Sequence, residues 1–196
     1  MKTKIRSLRF VPYCTSDSWS GTRGSLNDMF SFMGAEIVLQ VVRDLVPLGL
    51  ENASSLLLAG SSAGGTGVML NLDHVHNLVH HDLGKDEFFF SLSFPLLCSI
   101  KISSYLFINL ISMMNAGLKH IAIRGVSDSG WFLDRAPYTP NGLSPVDVVH
   151  KGMELWKARM PHNCVNKHRN EPWRCYFGYR LYPTLTGKAK RLTASN

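Results

Sequence analysis

The stretch LLLAGSSAGGTGVMLNLDHV, residues 56–75, constrains the fold of this chain more than any other. An apolar run over 54–59 stops at Gly60, and small residues follow. From Ala63 onward apolar positions recur at Val68, Leu72, Val75 and Val79. A short apolar run closed by glycine reads as a buried parallel strand, and the later spacing reads as a helix. Upstream, Met29, Phe32, Met33, Ile37, Val38, Val41, Val42 and Leu45 keep helical spacing over 28–46, and Gly49 is a fitting end signal. Helix, strand and helix in this order point to a layered α/β architecture, a parallel sheet with flanking helices. Downstream, IAIRGV (121–126) reads as a second strand. Residues 144–157 read as a helix, with Ser144 as N-cap, Pro145 at its first position and Asp147 in its first turn. At 196 residues, 45% hydrophobic and 18% charged, the chain suits one globular domain rather than a disordered segment.

Gly60-Ser61-Ser62-Ala63-Gly64 fits G-x-S-x-G between a strand and a helix. A nucleophilic serine needs this layout. The hydroxyl must project from a sharp turn, and glycines two positions either side remove side chains that would collide there. The amide of Ala63 then points to where an oxyanion forms, and the helix N-terminus adds partial positive charge. The alternatives are a plain glycine-rich turn and a phosphate cradle, but the Gly-Lys-Ser/Thr ending of a P-loop is missing. Such a serine needs a base and an orienting carboxylate. Of the eight histidines, His74, His76, His80 and His81 fall on the elbow helix and point mostly away from its tip. None of His120, His150, His162 and His168 stands on a clear late strand-end loop. Asp128 and Asp134, in SDSGWFLD, are the acidic candidates, with loop capping as their other reading. His76 and His80 sit four apart, yet no third ligand accompanies them, so no metal is expected.

The formal charge of +7 is concentrated in Lys2, Lys4, Arg6 and Arg9 at one end and Lys188, Lys190 and Arg191 at the other. No nucleic-acid motif accompanies them, so residues 1–9 and 187–196 read as solvated basic tails with no nucleic-acid partner. Among Cys14, Cys98, Cys164 and Cys175 there is no CxxC pair, which argues against structural zinc. Cys164 and Cys175 could close a short disulfide loop in an oxidising compartment, or remain two buried thiols. No secretory signal begins the chain, and the sequon Asn52-Ala53-Ser54 matters only if the chain enters the secretory pathway. Residues 85–117, rich in Phe, Leu, Ile and Ser, have no clear period. Lys101 near the middle and Pro95 argue against a membrane span.

With these residues in view, FVPYCTSDSWSG (10–21), FMGAEIVLQVVRDL (32–45), LLLAGSSAGGTGVMLNLD (56–73), RGVSDSGWFLD (124–134) and WRCYFGYRLYPTL (173–185) resemble the pectin acetylesterase/Notum family. The resemblance implies an α/β-hydrolase fold and a serine carboxylesterase. Its family role is removal of palmitoleate from Wnt proteins outside the cell, without metal or organic cofactor. It implies Ser62 as nucleophile, the Ala63 amide as oxyanion donor, and an acyl pocket lined by Phe132, Pro145, Val149, Tyr176 and Phe177. Lipidated Wnt-like protein is the implied substrate, and heparan sulfate or a glypican an added partner. A sugar-ester hydrolase and a non-catalytic acyl-binding module are the rival readings.

The resemblance also sets departures. The family's glycine-rich oxyanion loop lies upstream of the first matching segment, and its catalytic Asp and His lie beyond Tyr-Pro-Thr-Leu. The expectation is therefore a partial hydrolase domain over 10–186 with little or no turnover by itself, and a partner for Cys14 upstream. Removing 85–117 restores the family spacing. Gly84-Lys85 and Ala116-Gly117 can be encoded by splice-donor and splice-acceptor sequences, so 85–117 reads as a translated intron, foreign to the fold. Gly187-Lys188 repeats the sign.

Overall fold

The computed structural model describes residues 6–25, 30–83, 105–112, 118–139, 142 and 144–186. Four strands form one mixed sheet: β1 (Arg6–Pro12), β2 (Ala53–Ser61), β3 (Tyr105–Ser112) and β4 (Ala122–Asp128), in the spatial order β1-β3-β2-β4. β2 and β4 pair in parallel, from Ser55 opposite Ala122 to Ser61 opposite Asp128. β3 runs antiparallel to both β1 and β2, so β1, β2 and β4 share one direction.

Two helices build the helical layer. α1 (Gly34–Asp44) connects β1 to β2, and α2 (Ala63–Asn77) follows β2 directly. α2 packs against β2 and β4 and also against α1, so both helices lie on one face of the sheet. Side-chain alternation agrees: Leu56 and Leu58 on β2 are fully buried, as are Ala35, Val38 and Val42 on α1 and Val68, Met69 and Val75 on α2. At Gly67 the Trp19 ring lies where a Cβ would sit, so only glycine admits this fully buried tryptophan against α2.

The helix expected over 144–157 is α3 (Pro145–Trp156), and the Ser144 hydroxyl accepts a hydrogen bond from the Asp147 amide at 3.4 Å, as its N-cap reading requires. α4 (His162–Lys167), a 3-10 turn over Pro172–Tyr176 and α5 (Gly178–Leu181) complete the described chain. Gly49 has φ 101°, the left-handed backbone expected of an end signal, but α1 stops earlier, at Asp44, and turns carry the chain between.

Two boundaries differ from the sequence reading. β1 begins at Arg6, inside the stretch read as a basic tail, because its backbone bonds to β3 from that residue onward. Tyr105–Ser112, inside the stretch read as foreign, is the central strand between β1 and β2. The rest of 85–117 lies outside the described residues, as do the tail residues 1–5 and 187–196. Among the described residues no helix is long and apolar enough to cross a membrane.

Candidate active site

Ser62 stands at the carboxyl end of β2, at the bend into α2, with φ 55° and ψ −121°. Residues other than glycine rarely adopt positive φ, and strain of this kind collects at functional sites. Several groups hold the bend. The Ser62 amide donates to the Asp128 carbonyl at 2.9 Å, and the Ser62 carbonyl accepts from the Thr66 amide at 3.1 Å. A Cβ on Gly60 would overlap the Gly64 backbone, so the two glycines flanking the serine lie against each other. Ser62 and Ala63 are half-buried. Ala63 opens α2, and no side chain caps that helix end. Its amide is one of the first-turn donors that have no intrahelical acceptor.

The acidic candidates have other partners. Ser61 and Asp128 face each other across β2 and β4, and the Ser61 hydroxyl donates to Asp128 Oδ2 at 2.9 Å. Ser129 donates to Oδ1 of the same carboxylate at 3.3 Å. Asp128 therefore braces the strand end beside Ser62. The Asp134 side chain is only 2% exposed and binds Arg174 at 2.7 Å and Arg180 at 3.1 Å. It ties the loop after β4 to the segment 172–181.

The histidines lie along other contacts. His80 Nε2 bonds the Ile121 carbonyl at 2.8 Å, and His120 Nε2 bonds the Ala53 carbonyl at 3.0 Å, at the far end of β2. His76 packs edge-on to His80 with ring centres 4.1 Å apart. Burial, and then the charge of Arg159, hold His74 below the usual histidine pKa. His150 lies 6.0 Å from the Trp173 ring, and His162 bonds Asn166. Among the described residues nothing hydrogen-bonds the Ser62 hydroxyl, and no cluster of three or more His, Cys, Asp or Glu has a metal-binding arrangement.

An aromatic wall adjoins the elbow. The Gly130 backbone lies against Gly65 and Thr66, in the first turn of α2, and the chain continues into Trp131 and Phe132. Phe132 stacks on Tyr176 at 6.4 Å, and Tyr176 meets Phe177 edge-on at 5.7 Å. Phe177 is fully buried and Phe132 is 40% exposed. Tyr176 shares a hydrogen bond with Ser18 at 2.8 Å and stands beside Thr66; burial raises its pKa. Val149 is buried on α3 next to His150, while Pro145 is exposed at the start of that helix. Of the five expected pocket residues, Phe132, Tyr176 and Phe177 form one ring cluster. Cys164 and Cys175 form a disulfide with Cα atoms 5.8 Å apart, which anchors the segment carrying Tyr176 and Phe177. Cys14 is disulfide-bonded as well.

The loop after β1 was invisible as a functional element. Ser16, Ser18 and Trp19 all have positive φ. The fully buried Asp17 carboxylate holds them there. It accepts from the amides of Trp19 at 3.0 Å, Gly21 at 3.2 Å and Gly34 at 2.7 Å, and from the Thr15 hydroxyl. The small polar run Thr-Ser-Asp-Ser signals an Asx turn, but nothing local reveals that the carboxylate also reaches the start of α1. Tyr13 accepts the Ser18 amide at 2.6 Å, and burial pushes its pKa up to about 12.

The pectinacetylesterase family pattern matches residues 9–84. The palmitoleoyl-protein carboxylesterase NOTUM of Drosophila melanogaster is 41% identical over 182 residues, covering 89% of this chain and 22% of that protein. The palmitoleoyl-protein carboxylesterase notum1a of Danio rerio is 37% identical over 91% of this chain and 30% of its own length. The crystal structure of the Wnt deacylase Notum from Drosophila superposes with a TM-score of 0.69 at 39% identity, over 94% of this chain and 44% of that one. The chain thus spans less than a third of the length of these curated relatives.

Proposed function

We propose, from its similarity to the Notum carboxylesterases and to the pectinacetylesterase family pattern over residues 9–84, that this chain carries the nucleophile half of a serine carboxylesterase site. Ser62 is the nucleophile: its oxygen bonds to the ester carbonyl carbon, the bond from that carbon to the alcohol oxygen breaks, and the alcohol leaves with the serine proton; water then cleaves the acyl-serine to the free acid and restores the hydroxyl. The Ala63 amide, at the positive end of α2, receives the developing oxyanion. The observation that carries this reading is the strained Ser62 backbone at the strand-to-helix bend, held by Asp128 and by the contact of Gly60 with Gly64.

The substrate class follows from the neighbouring wall. Phe132 and Tyr176 offer ring surface beside the elbow, backed by the buried Phe177, and α3 adds the exposed Pro145 and the buried Val149 as further apolar lining. Such a surface suits a fatty acyl chain, since each buried methylene contributes about 0.8 kcal/mol; the acyl donor is a lipidated protein of the palmitoleoylated Wnt type. The disulfides support an extracellular site of action. Arg180, Lys167 and Arg174 lie near His168, whose pKa falls below the usual value through desolvation and then through these charges, against the opposing charge of Glu171. That field suits an anionic glycan such as the heparan sulfate of a glypican.

A second reading rests on one observation: among the described residues no base bonds the Ser62 hydroxyl. The chain by itself then acts as an acyl-binding module with negligible turnover. Hydrolysis of a short aryl ester and binding of a fluorescent fatty acid, each with the parent and with Ser62→Ala, test both. Hydrolysis that disappears in the variant supports the nucleophile. Fatty-acid binding without hydrolysis selects the second reading. Hydrolysis that survives Ser62→Ala refutes the assignment of Ser62.

A further inference from the structure

We propose that Asn52 is an N-glycosylation site, placed at the end of the sheet remote from Ser62. Asn52-Ala53-Ser54 is the one Asn-x-Ser/Thr sequon in the 196 residues. Asn52 ends the 3-10 turn Leu50–Asn52 and is exposed, while the next residue, Ala53, enters β2 and is buried. A sequon that straddles a surface turn and a strand start leaves the folded domain room for a large group on Asn52 without disturbing the sheet. The disulfides supply a second, independent observation. Cys164 is bonded to Cys175, and Cys14 is bonded too. Such bonds persist in the oxidising lumen where N-glycans are attached.

The chemistry requires one co-reactant, an oligosaccharide carried on a lipid diphosphate. The Asn52 side-chain nitrogen forms a bond to the anomeric carbon. The bond from that carbon to the diphosphate oxygen breaks, the lipid diphosphate leaves with the electron pair, and the amide loses one proton to a base. No oxidant or reductant takes part.

Position gives the modification its use. β2 has nine residues between Asn52 and Ser62, and at about 3.3 Å per residue the two lie roughly 30 Å apart. A glycan there leaves the elbow and the aromatic wall open.

The test is peptide mass spectrometry on the protein produced from its full coding sequence in animal cells, read in the cell lysate as well as the medium. Amidase release of N-glycans in heavy-oxygen water is expected to turn Asn52 into labelled aspartate, and to increase gel mobility by one glycan. Asn52→Gln and Ser54→Ala are expected to abolish both signals, and Ser54→Thr to keep them. Attachment precedes folding, so a poorly folding variant still reports. Unmodified Asn52 in the recovered parent protein, whether its cysteines are oxidised or reduced, overturns the proposal. The outcome is independent of Ser62: Asn52→Gln leaves aryl-ester hydrolysis as in the parent, and Ser62→Ala leaves the glycan in place.

Discussion

Replacing Asp17 by Asn removes a charge while keeping size and shape, and the geometry predicts a large loss of stability. Oδ1 accepts from the Trp19 amide and the Thr15 hydroxyl, and Oδ2 accepts from the Gly21 and Gly34 amides. An Asn amide has one acceptor and one donating NH2. With its NH2 toward Gly21 and Gly34 it faces two N–H donors; turned the other way it faces the Trp19 amide and the Thr15 hydroxyl, which can rotate to accept. The second orientation loses less, yet it still leaves the buried Trp19 amide without its acceptor and removes the charge from the bonds to Gly21 and Gly34. A hydrogen bond to a charged acceptor contributes about 1.5–3 kcal/mol, and an orphaned buried donor carries a comparable penalty. One lost bond to a charged acceptor and one orphaned buried donor give an expected loss of about 3 kcal/mol, a large share of the 5–15 kcal/mol typical of a domain. The assay is urea denaturation with the disulfides intact, comparing Asp17→Asn with Asp17→Ala at matched m-values. The reasoning fails if Asn lowers stability by less than about 1.5 kcal/mol, because the three backbone bonds would then not depend on a purely accepting group.

Asp128 is expected to behave as a brace rather than as the triad acid. Asp128→Asn can still accept from Ser61 and should stay close to the parent in stability, whereas Asp128→Ala should lose about 1–2 kcal/mol. A fall of about 10⁴ in ester hydrolysis for the Asn variant, as expected of a triad carboxylate, would instead mark it as the acid. His74 predicts a pH response. Burial and Arg159 lower its pKa in the folded state below 6.5, against attraction from Asp73 and Glu36. A depressed histidine favours the neutral form on folding, so its contribution is present above pH 6.5 and is lost as pH falls below it. Stability measured by urea between pH 7 and pH 5 should therefore decline, and His74→Met should flatten that decline; an unchanged slope would exclude His74 as a source.

Local sequence determined the elements that depend on neighbours along the chain. β2, the elbow and α2 were legible because an apolar run, a cluster of small residues and a 3.6-residue period follow one another directly. α3 was legible because its cap and first proline lie within four residues. Ser62 stood out for the same reason, since the glycines that permit its turn are two positions away.

Tertiary structure alone decided what depends on groups far apart in sequence. Asp128 differs from Asp134 only through its surroundings. β-pairing sets one opposite Ser61, while Arg174 and Arg180, some forty residues downstream, enclose the other. The place of Tyr105–Ser112 was hidden because its two partners, β1 and β2, lie far upstream, and no local pattern records such a pairing. The reach of Asp17 to Gly34 and the bond from Tyr176 to Ser18 each close a long loop, and no local propensity records such a closure. Periodicity and turn chemistry act within a few residues, whereas the carboxylates and rings around Ser62 gain their roles only once distant segments meet.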